Sequence, residues 1–350
     1  MAITKISYLG KKVYIGIDVH KETYSVTCIC DGLIVKKVAS IPADPAQFAQ
    51  SILNWFKDAE IHSAYEAGFS GFGLHRELEK AGIKSNVVNA ASIEVASNDK
   101  VKTDLRDSKK IAEQLANHRL KCIHIPSEAE EARRALTRGR EQVVEMRATV
   151  SCQIKSKLQY FGLMARNDKR AISNRYLKEI EAKSLASEVK LAFKMLIEQW
   201  RFFTTQIAEF QAALKEQAKK DEKLESVYRS VPGIGLITSR TLANELGDLT
   251  RFKNERALFS YTGLTPSEYS SGEHIRRGHI SRQGAARIRW LLVEAAWRAI
   301  AKDVALKETF ERIAKASGKK RAIVAIARKL IGRIRACFRT EKEYAVGTYA

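Results

Sequence analysis

The spacing of apolar and polar residues changes twice along the chain, which marks three segments. In the first, Val13-Tyr-Ile-Gly-Ile-Asp-Val19 reads as a buried strand with Asp18 near its end. Tyr24–Cys30 and Leu33–Ala39 are two further apolar runs, joined by Asp31-Gly32, a dipeptide suited to a tight hairpin turn. The pattern then predicts a helix over Pro45–Lys57, a strand over His62–Tyr65 ending at Glu66, and a helix over Gly71–Ala81. A strand over Lys84–Val88 and a helix from near Asp107 to His118 follow. A hairpin meander followed by alternating strands and helices predicts an α/β domain with a mixed sheet over residues 1–127.

The second segment, 128–225, has the pattern of long helices. Ser127-Glu-Ala-Glu130 carries the residues of a capping box. Val189, Phe193, Leu196, Trp200, Phe203, Ile207, Phe210 and Leu214 alternate by four and three, the seam of a coiled coil. The expected break between the two helical arms lies at Phe161–Lys169. Such a seam closes within a chain or between chains, and both are expected here, giving a homo-oligomer, dimer or tetramer. The third segment, 226–350, reads as a mainly helical domain. Val231-Pro-Gly-Ile-Gly235 interrupts two helical stretches in the manner of a helix-hairpin-helix turn, and Ala285–Ala301 and Lys319–Phe338 are further helices. Gly263–Gly284 reads as a polar loop.

Charge separates the segments more sharply. The chain holds 61 Lys/Arg against 40 Asp/Glu, a net +21. Residues 226–350 alone hold 24 basic and 11 acidic residues. A localised excess of this size points to a polyanionic partner, DNA or RNA. Arg276, Arg277 and Arg282 in the polar loop are candidates to hold a phosphate. Lys320, Arg321, Arg328 and Lys329 on the last helix alternate with Ile323, Ile326 and Leu330, so they form a basic face on an amphipathic helix. Gly233 and Gly235 would let backbone amides approach a phosphate at a helix start. Contacts of this kind position a nucleic acid and do not read its bases. No apolar run reaches the roughly 20 residues of a membrane helix. The N-terminus lacks the pattern of a secretory leader, so a cytoplasmic, nucleoid-associated protein with no membrane partner is expected. The five cysteines are scattered, with no Cys-x-x-Cys pair, which argues against a zinc site or a disulfide framework.

The acidic residues carry the candidate chemistry. Asp18 and Glu66 each sit at a strand end, and Asp104 and Asp107 lie three apart at a helix start, on one face. In an α/β sheet such strand ends converge, and a helix docked there adds two more carboxylates. Four acidic groups at one point are tolerable when divalent metal neutralises them, and an all-oxygen donor set selects Mg²⁺, with Mn²⁺ as the alternative. Taken singly, each has a plainer reading: a turn cap for Asp18, a helix cap for Asp104. His20, two residues beyond Asp18, points the same way and is read as local structure rather than as a metal ligand.

The order Asp…Glu…Asp-x-x-Asp resembles that of RNase H-like nucleases of the RuvC type. More specifically, Tyr14-Ile-Gly-Ile-Asp-Val-His-Lys21, Tyr65-Glu-Ala-Gly68 and Lys102-Thr-Asp-Leu-Arg-Asp107 resemble the three blocks of the DEDD transposases of the insertion-sequence-110 family. Val231-Pro-Gly-Ile-Gly235, Phe259-Ser-Tyr-Thr-Gly-Leu-Thr-Pro266, Ser270-Ser-Gly272, Ile280-Ser-Arg-Gln-Gly284 and Arg289-Trp-Leu-Leu-Val-Glu-Ala-Ala296 are similar to that family's second domain. The resemblance spans nearly the whole chain. It implies a RuvC-like domain followed by a coiled-coil arm and a transposase domain. It also implies cleavage and rejoining of double-stranded DNA at element ends and a target, catalysed by Asp18, Glu66, Asp104 and Asp107 with Mg²⁺. It further implies a serine nucleophile at Ser271, with Ser270 as the alternative, and guidance by a bridge RNA. The carboxylates and the serine would form a composite site, shared in some arrangements between protomers. His274 and His279 are candidates for proton transfer beside the serine.

Three other readings fit parts of the sequence. A RuvC-like junction resolvase or nuclease would use the carboxylates and no serine chemistry. An actin-like ATPase or sugar kinase also opens with a strand ending in Asp, but needs a glycine-threonine phosphate loop where Val19-His20-Lys21 stands. A non-enzymatic nucleic-acid-binding protein would use the basic helices alone.

Overall fold

The computed structural model describes residues 7–94, 103–271, 274, 276–281 and 283–347, and the chain divides into two units, Met1–Pro126 and Ser127–Ala350. In the first, β1 (Lys12–Val19), β2 (Thr23–Cys30) and β3 (Leu33–Pro42) form an antiparallel meander. α1 (Pro45–Trp55) leads to β4 (Glu60–Glu66), and α2 (Gly73–Lys80) leads to β5 (Lys84–Val88). β4 and β5 run parallel to β1, so the mixed sheet has the order β3-β2-β1-β4-β5. α3 (Asp104–Ala116) closes the unit.

The period of two along β1 divides its residues between two faces. Val13, Ile15 and Ile17 point into the main core with Val26, Cys28, Phe48, Ile52, Tyr65 and Leu78, under α1 and α2. Tyr14, Gly16 and Asp18 take the opposite face, where α3 lies. There the sheet presents a row of small residues, Thr27, Gly16 and Ala64, paired across β2, β1 and β4. α3 fits against that row so closely that a Cβ on Gly16 would stand 2.0 Å from the Ser108 carbonyl oxygen and 2.4 Å from the Ala112 nitrogen. The absent side chain of Gly16 therefore sets the seat of α3. A buried hydrogen bond, 2.9 Å between the hydroxyls of Thr27 and Ser108, fixes its position along the row, and Ile111 and Leu115 pack against Ala64.

The second unit begins with α4 (Glu128–Tyr160), and its capping box forms as the sequence predicts: the Ser127 hydroxyl accepts from the Glu130 amide, and the Glu130 carboxylate accepts from the Ser127 amide. α6 (Ser187–Lys220) runs back along α4. Phe193, Ile197 and Trp200 share a cluster with Val150, Ile154 and Leu158, and the Trp200 indole donates to Ser151 Oγ at 3.0 Å. The Phe210 ring lies over Gly139, where a Cβ would meet it at 2.9 Å. Within the chain, α4 thus covers the predicted seam. The break is longer than the residues expected for it, because α5 (Asn174–Glu181) folds there and buries Tyr176, Leu177 and Ile180 in the same cluster.

The remaining helices are α7 (Glu222–Ser230), α8 (Leu236–Leu246), α9 (Glu255–Thr262), α10 (Ala286–Ala299), α11 (Val304–Ser317) and α12 (Lys319–Thr340). Leu242, Leu246, Leu292, Ala296, Ile326 and Leu330 meet in their core. α8 is buried on its polar side as well. Arg240 is fully enclosed and donates to Glu225 at 2.5 Å and Asp221 at 2.9 Å. Glu245 accepts two hydrogen bonds from Arg138 of α4, at 2.8 and 2.9 Å. These charged contacts tie the base of the α4–α6 pair to the helical core. Among the described residues no helix is long and apolar enough to cross a membrane.

Candidate metal centre and serine hairpin

Asp18 stands near the end of β1 on the face that α3 covers, and the close seat of α3 at Gly16 brings the first turn of that helix to it. His20, on the same side of the chain two residues on, joins the two elements: its Nε2 lies 3.2 Å from Asp18 Oδ2 and 3.2 Å from Asp104 Oδ2. Ligand atoms of Asp18, His20 and Asp104 all fall within 4.8 Å of one another. The half-buried Asp18 carboxyl is pushed above its ordinary range, first by burial and then by the negative charges of Asp104 and Asp107, against the opposing pull of His20. Asp107 also pairs with Lys110 at 3.3 Å.

Glu66 lies on the neighbouring strand. Ile17 pairs with Tyr65, so Asp18 and Glu66 come next in register at the same end of two parallel strands. Glu66 has the parity of Ala64, hence the α3 face, and its side chain is exposed. It stands outside the close group of Asp18, His20 and Asp104. Asp104 and Asp107 both lie in the first turn of α3, which begins three residues earlier than the sequence pattern indicates. The contact that sequence reading undervalued is His20, and its signal was the i, i+2 spacing from Asp18 on an extended strand.

The donor set suits a divalent cation. The close group offers two carboxylates and one imidazole rather than the all-oxygen set expected from the sequence, and the charge crowding at Asp18 is of the kind that a cation relieves.

The segment read as a polar loop is a short antiparallel hairpin, β6 (Pro266–Glu268) with β7 (Arg277–Ile280). Glycine and serine composition hid it, because its pairing is carried by the backbone: Tyr269 N donates to Arg276 O at 2.9 Å, and Ser271 and His274 exchange bonds of 3.2 and 3.1 Å at the tip. The two serines differ. Ser270 Oγ donates to Glu268 at 2.9 Å and accepts from the Arg276 amide at 3.2 Å. Ser271 is exposed, and its hydroxyl makes no hydrogen bond among the described residues. Arg276 is exposed near it. Arg282 and the side chain of Arg277 lie outside the described residues.

Gly233, in the turn between α7 and α8, has φ +89° and packs against α10, where a Cβ would stand 2.7 Å from Arg298 Cβ and 2.9 Å from Ala295 O. That packing accounts for the glycine. Gly235 begins α8 with open space around it. On α12, Lys320 and Arg321 are exposed, whereas Arg328 and Lys329 are half-buried.

Known proteins resemble the chain in two stretches. A family profile described as Transposase IS116/IS110/IS902 family matches residues 225–311, and a DEDD profile described as Transposase matches residues 15–162. The chain is 31% identical over 291 residues to a protein of Sinorhizobium fredii named as transposase y4qE, an alignment covering 82% of this chain and 72% of that protein. It is 28% identical to the transposase for insertion sequence element IS1111A of Coxiella burnetii, covering 78% and 76% of the two chains. It is 25% identical to the transposase for insertion sequence element IS1533 of Leptospira borgpetersenii, covering 95% and 97%.

Proposed function

The chain belongs to the IS110 family of insertion-sequence transposases, DNA-acting enzymes of the DEDD type, and we propose that it cleaves and rejoins DNA strands with Mg²⁺ held by its carboxylates and with Ser271 as nucleophile. The observation that carries the metal part is the meeting of Asp18 and Asp104 at one point, with Asp107 in their field and Glu66 on the adjoining strand end. The strand order supports an RNase H-like fold for this unit, since it puts Asp18 and Glu66 at the same end of adjacent strands, where α3 brings Asp104 beside Asp18. When bound there, a divalent cation supplies Lewis-acid polarisation of a phosphodiester oxygen.

The chain's own residues have distinct tasks. Asp18 and Asp104 hold the ion, Glu66 and Asp107 complete its acidic surroundings, and His20 orients both ligands. At the hairpin tip, the hydroxyl of Ser271 is available while that of Ser270 is engaged, which favours Ser271. Its oxygen bonds to phosphorus as the bond to the leaving sugar oxygen breaks, and the serine proton ends on that oxygen. A strand hydroxyl then reverses the step and joins the new partner. Arg276, with Arg277 and Arg282, bears on the phosphate's charge. Gly235, Lys320, Arg321, Arg328 and Lys329 grip backbone phosphates, and the same basic surface suits a bridge RNA. Leu191, Met195 and Phe202, exposed along α6, support pairing of the helical arms as a coiled coil between copies.

The test is strand transfer by Ser271→Ala and Ser270→Ala on DNA bearing element ends, with mass spectrometry of the denatured reaction. Ser271→Ala is expected to abolish the protein–DNA adduct and to slow joining by about 10³-fold or more, while Ser270→Ala keeps the adduct. Recombination by Ser271→Ala at the unaltered rate would instead mean a metal-dependent nuclease without serine chemistry.

A further inference from the structure

We infer that the groove between the β6–β7 hairpin and the N-terminal half of α12 holds an unpaired stretch of the DNA strand whose phosphate is attacked at the hairpin tip. The inference rests on the serine reading above for the identity of that strand. The groove has a volume of about 830 Å³, within the range of pockets that enclose small organic groups. Its rim carries Lys319, Lys320, Arg321 and Arg328, and no carboxylate lines it. Lys319, Lys320 and Arg321 make no ion pair among the described residues. The guanidinium of Arg328 is oriented over the Phe259 ring, 5.9 Å from its centroid. The floor is apolar: Leu264, Ile280, Val324 and Ala325.

That combination selects among polyanions. A duplex keeps its base faces stacked inside, offering only base edges in its grooves, and would leave the apolar floor uncovered. An unpaired strand presents base faces to apolar surface and phosphates to the cations together. The larger groove along α3 lacks this character, because its cations are already neutralised: Lys11 by Asp31 at 2.8 Å, Lys109 by Glu113 at 3.4 Å and Arg119 by Glu94 at 3.5 Å.

Hairpin register ties the α12 groove to the serine. Pro266 pairs with Ile280 at the groove, and Ser271 pairs with His274 at the tip. Five residues of strand span about 17 Å, or roughly five nucleotide steps at the duplex rise and fewer for an extended strand. A strand held at Ser271 therefore reaches the groove within a few nucleotides. Strand exchange requires unpaired DNA beside the cut, which gives this occupant a role.

Binding of a fluorescent oligothymidylate to the full chain, in a chelator so that no cleavage occurs, tests this independently of serine or metal chemistry. Matched duplex DNA and oligouridylate serve as competitors. Lys320→Ala/Arg321→Ala is expected to reduce the slope of log affinity against log salt by about 1.4, the value for two lost single-strand phosphate contacts. Ala325→Leu, which fills the floor without adding a stacking ring and keeps every charge, is expected to weaken oligothymidylate binding on the order of tenfold and duplex binding by less than twofold. Thermal unfolding of each variant checks the fold, and Ala325→Val gives a smaller filling if the leucine does not fold. Equal weakening of single strand and duplex by the filling variants would overturn the inference. So would preferential binding of oligouridylate over oligothymidylate, which would give the groove to RNA.

Discussion

Gly16→Ala reaches the candidate centre without touching an acidic residue. The new Cβ would stand 2.0 Å from the Ser108 carbonyl oxygen and 2.4 Å from the Ala112 nitrogen, against 3.4–4 Å for ordinary contact. Both are backbone atoms and cannot rotate aside, so α3 must retreat by about 1.4 Å. Overpacking of this kind costs about 1–3 kcal/mol, and the retreat also pulls apart the buried hydroxyl pair of Thr27 and Ser108, adding about 1–3 kcal/mol for polar groups left unpaired. The first turn of α3 moves with the helix, taking Asp104 from His20 and Asp18. A displacement near 1 Å at a reacting centre costs on the order of 10²-fold in rate. The assays are urea denaturation and strand cleavage at a temperature where the variant is fully folded. Gly73→Ala is the control, since no atom lies within 4 Å of the added methyl. A Gly16→Ala protein with unaltered stability and cleavage rate would refute the claim that α3 is seated by this contact and carries Asp104 to the site.

Two further predictions concern the second unit. Asp303, buried and bonded to Arg333 at 2.9 Å and Tyr344 at 2.6 Å, is pushed up by burial, but the bonds from Tyr344 and the Leu306 amide, with the charge of Arg333, outweigh this and hold it below its ordinary value. Its contribution to stability is therefore present above the unfolded carboxyl value near pH 4 and is lost as pH falls through the lower folded value. Asp303→Asn should cost about 3–5 kcal/mol at neutral pH and flatten the acid side of a stability-against-pH curve measured by urea melts. Arg240→Met should likewise cost about 3–5 kcal/mol by leaving Glu225 buried without its partner, and adding Glu225→Leu should recover most of it; a double-variant loss equal to the sum of the two single-variant losses would show that the pair is not coupled.

Much of the first unit was legible because its elements follow simple periods. The predicted strand over Val13–Val19 and the observed β1 differ by one residue, and β2 and β5 agree as closely, since buried strands show as bounded apolar runs; β4 starts two residues before the predicted His62, at the polar Glu60. α3 began earlier than expected because Asp104, Leu105 and Arg106 carry no apolar periodicity of their own; the helix is held there by its seat on the sheet. That seat was encoded by absence, in small residues at one level of three strands, and only the pairing register brings Thr27, Gly16 and Ala64 into a row. Asp18 and Asp104 were found together because strand-end and helix-start residues share an edge, whereas the bridging geometry of His20 depends on an extended strand meeting a helix distant in sequence. In the second unit the heptad spacing of α6 was plain. The buried polar side of α8 was not, because Arg240 and Glu245 are of residue types that ordinarily face water. The serine hairpin escaped notice for a related reason: its ladder is a backbone feature with little side-chain pattern.

Manganese binding tests the central claim most directly. Titration of Mn²⁺ into the full-length protein, followed by electron paramagnetic resonance of the free ion, should give a site in the native chain. Asp18→Asn and Asp104→Asn should each weaken it on the order of tenfold or more. Undiminished Mn²⁺ affinity in both variants, with the fold intact, would contradict the assignment of these two carboxylates as the metal-holding pair.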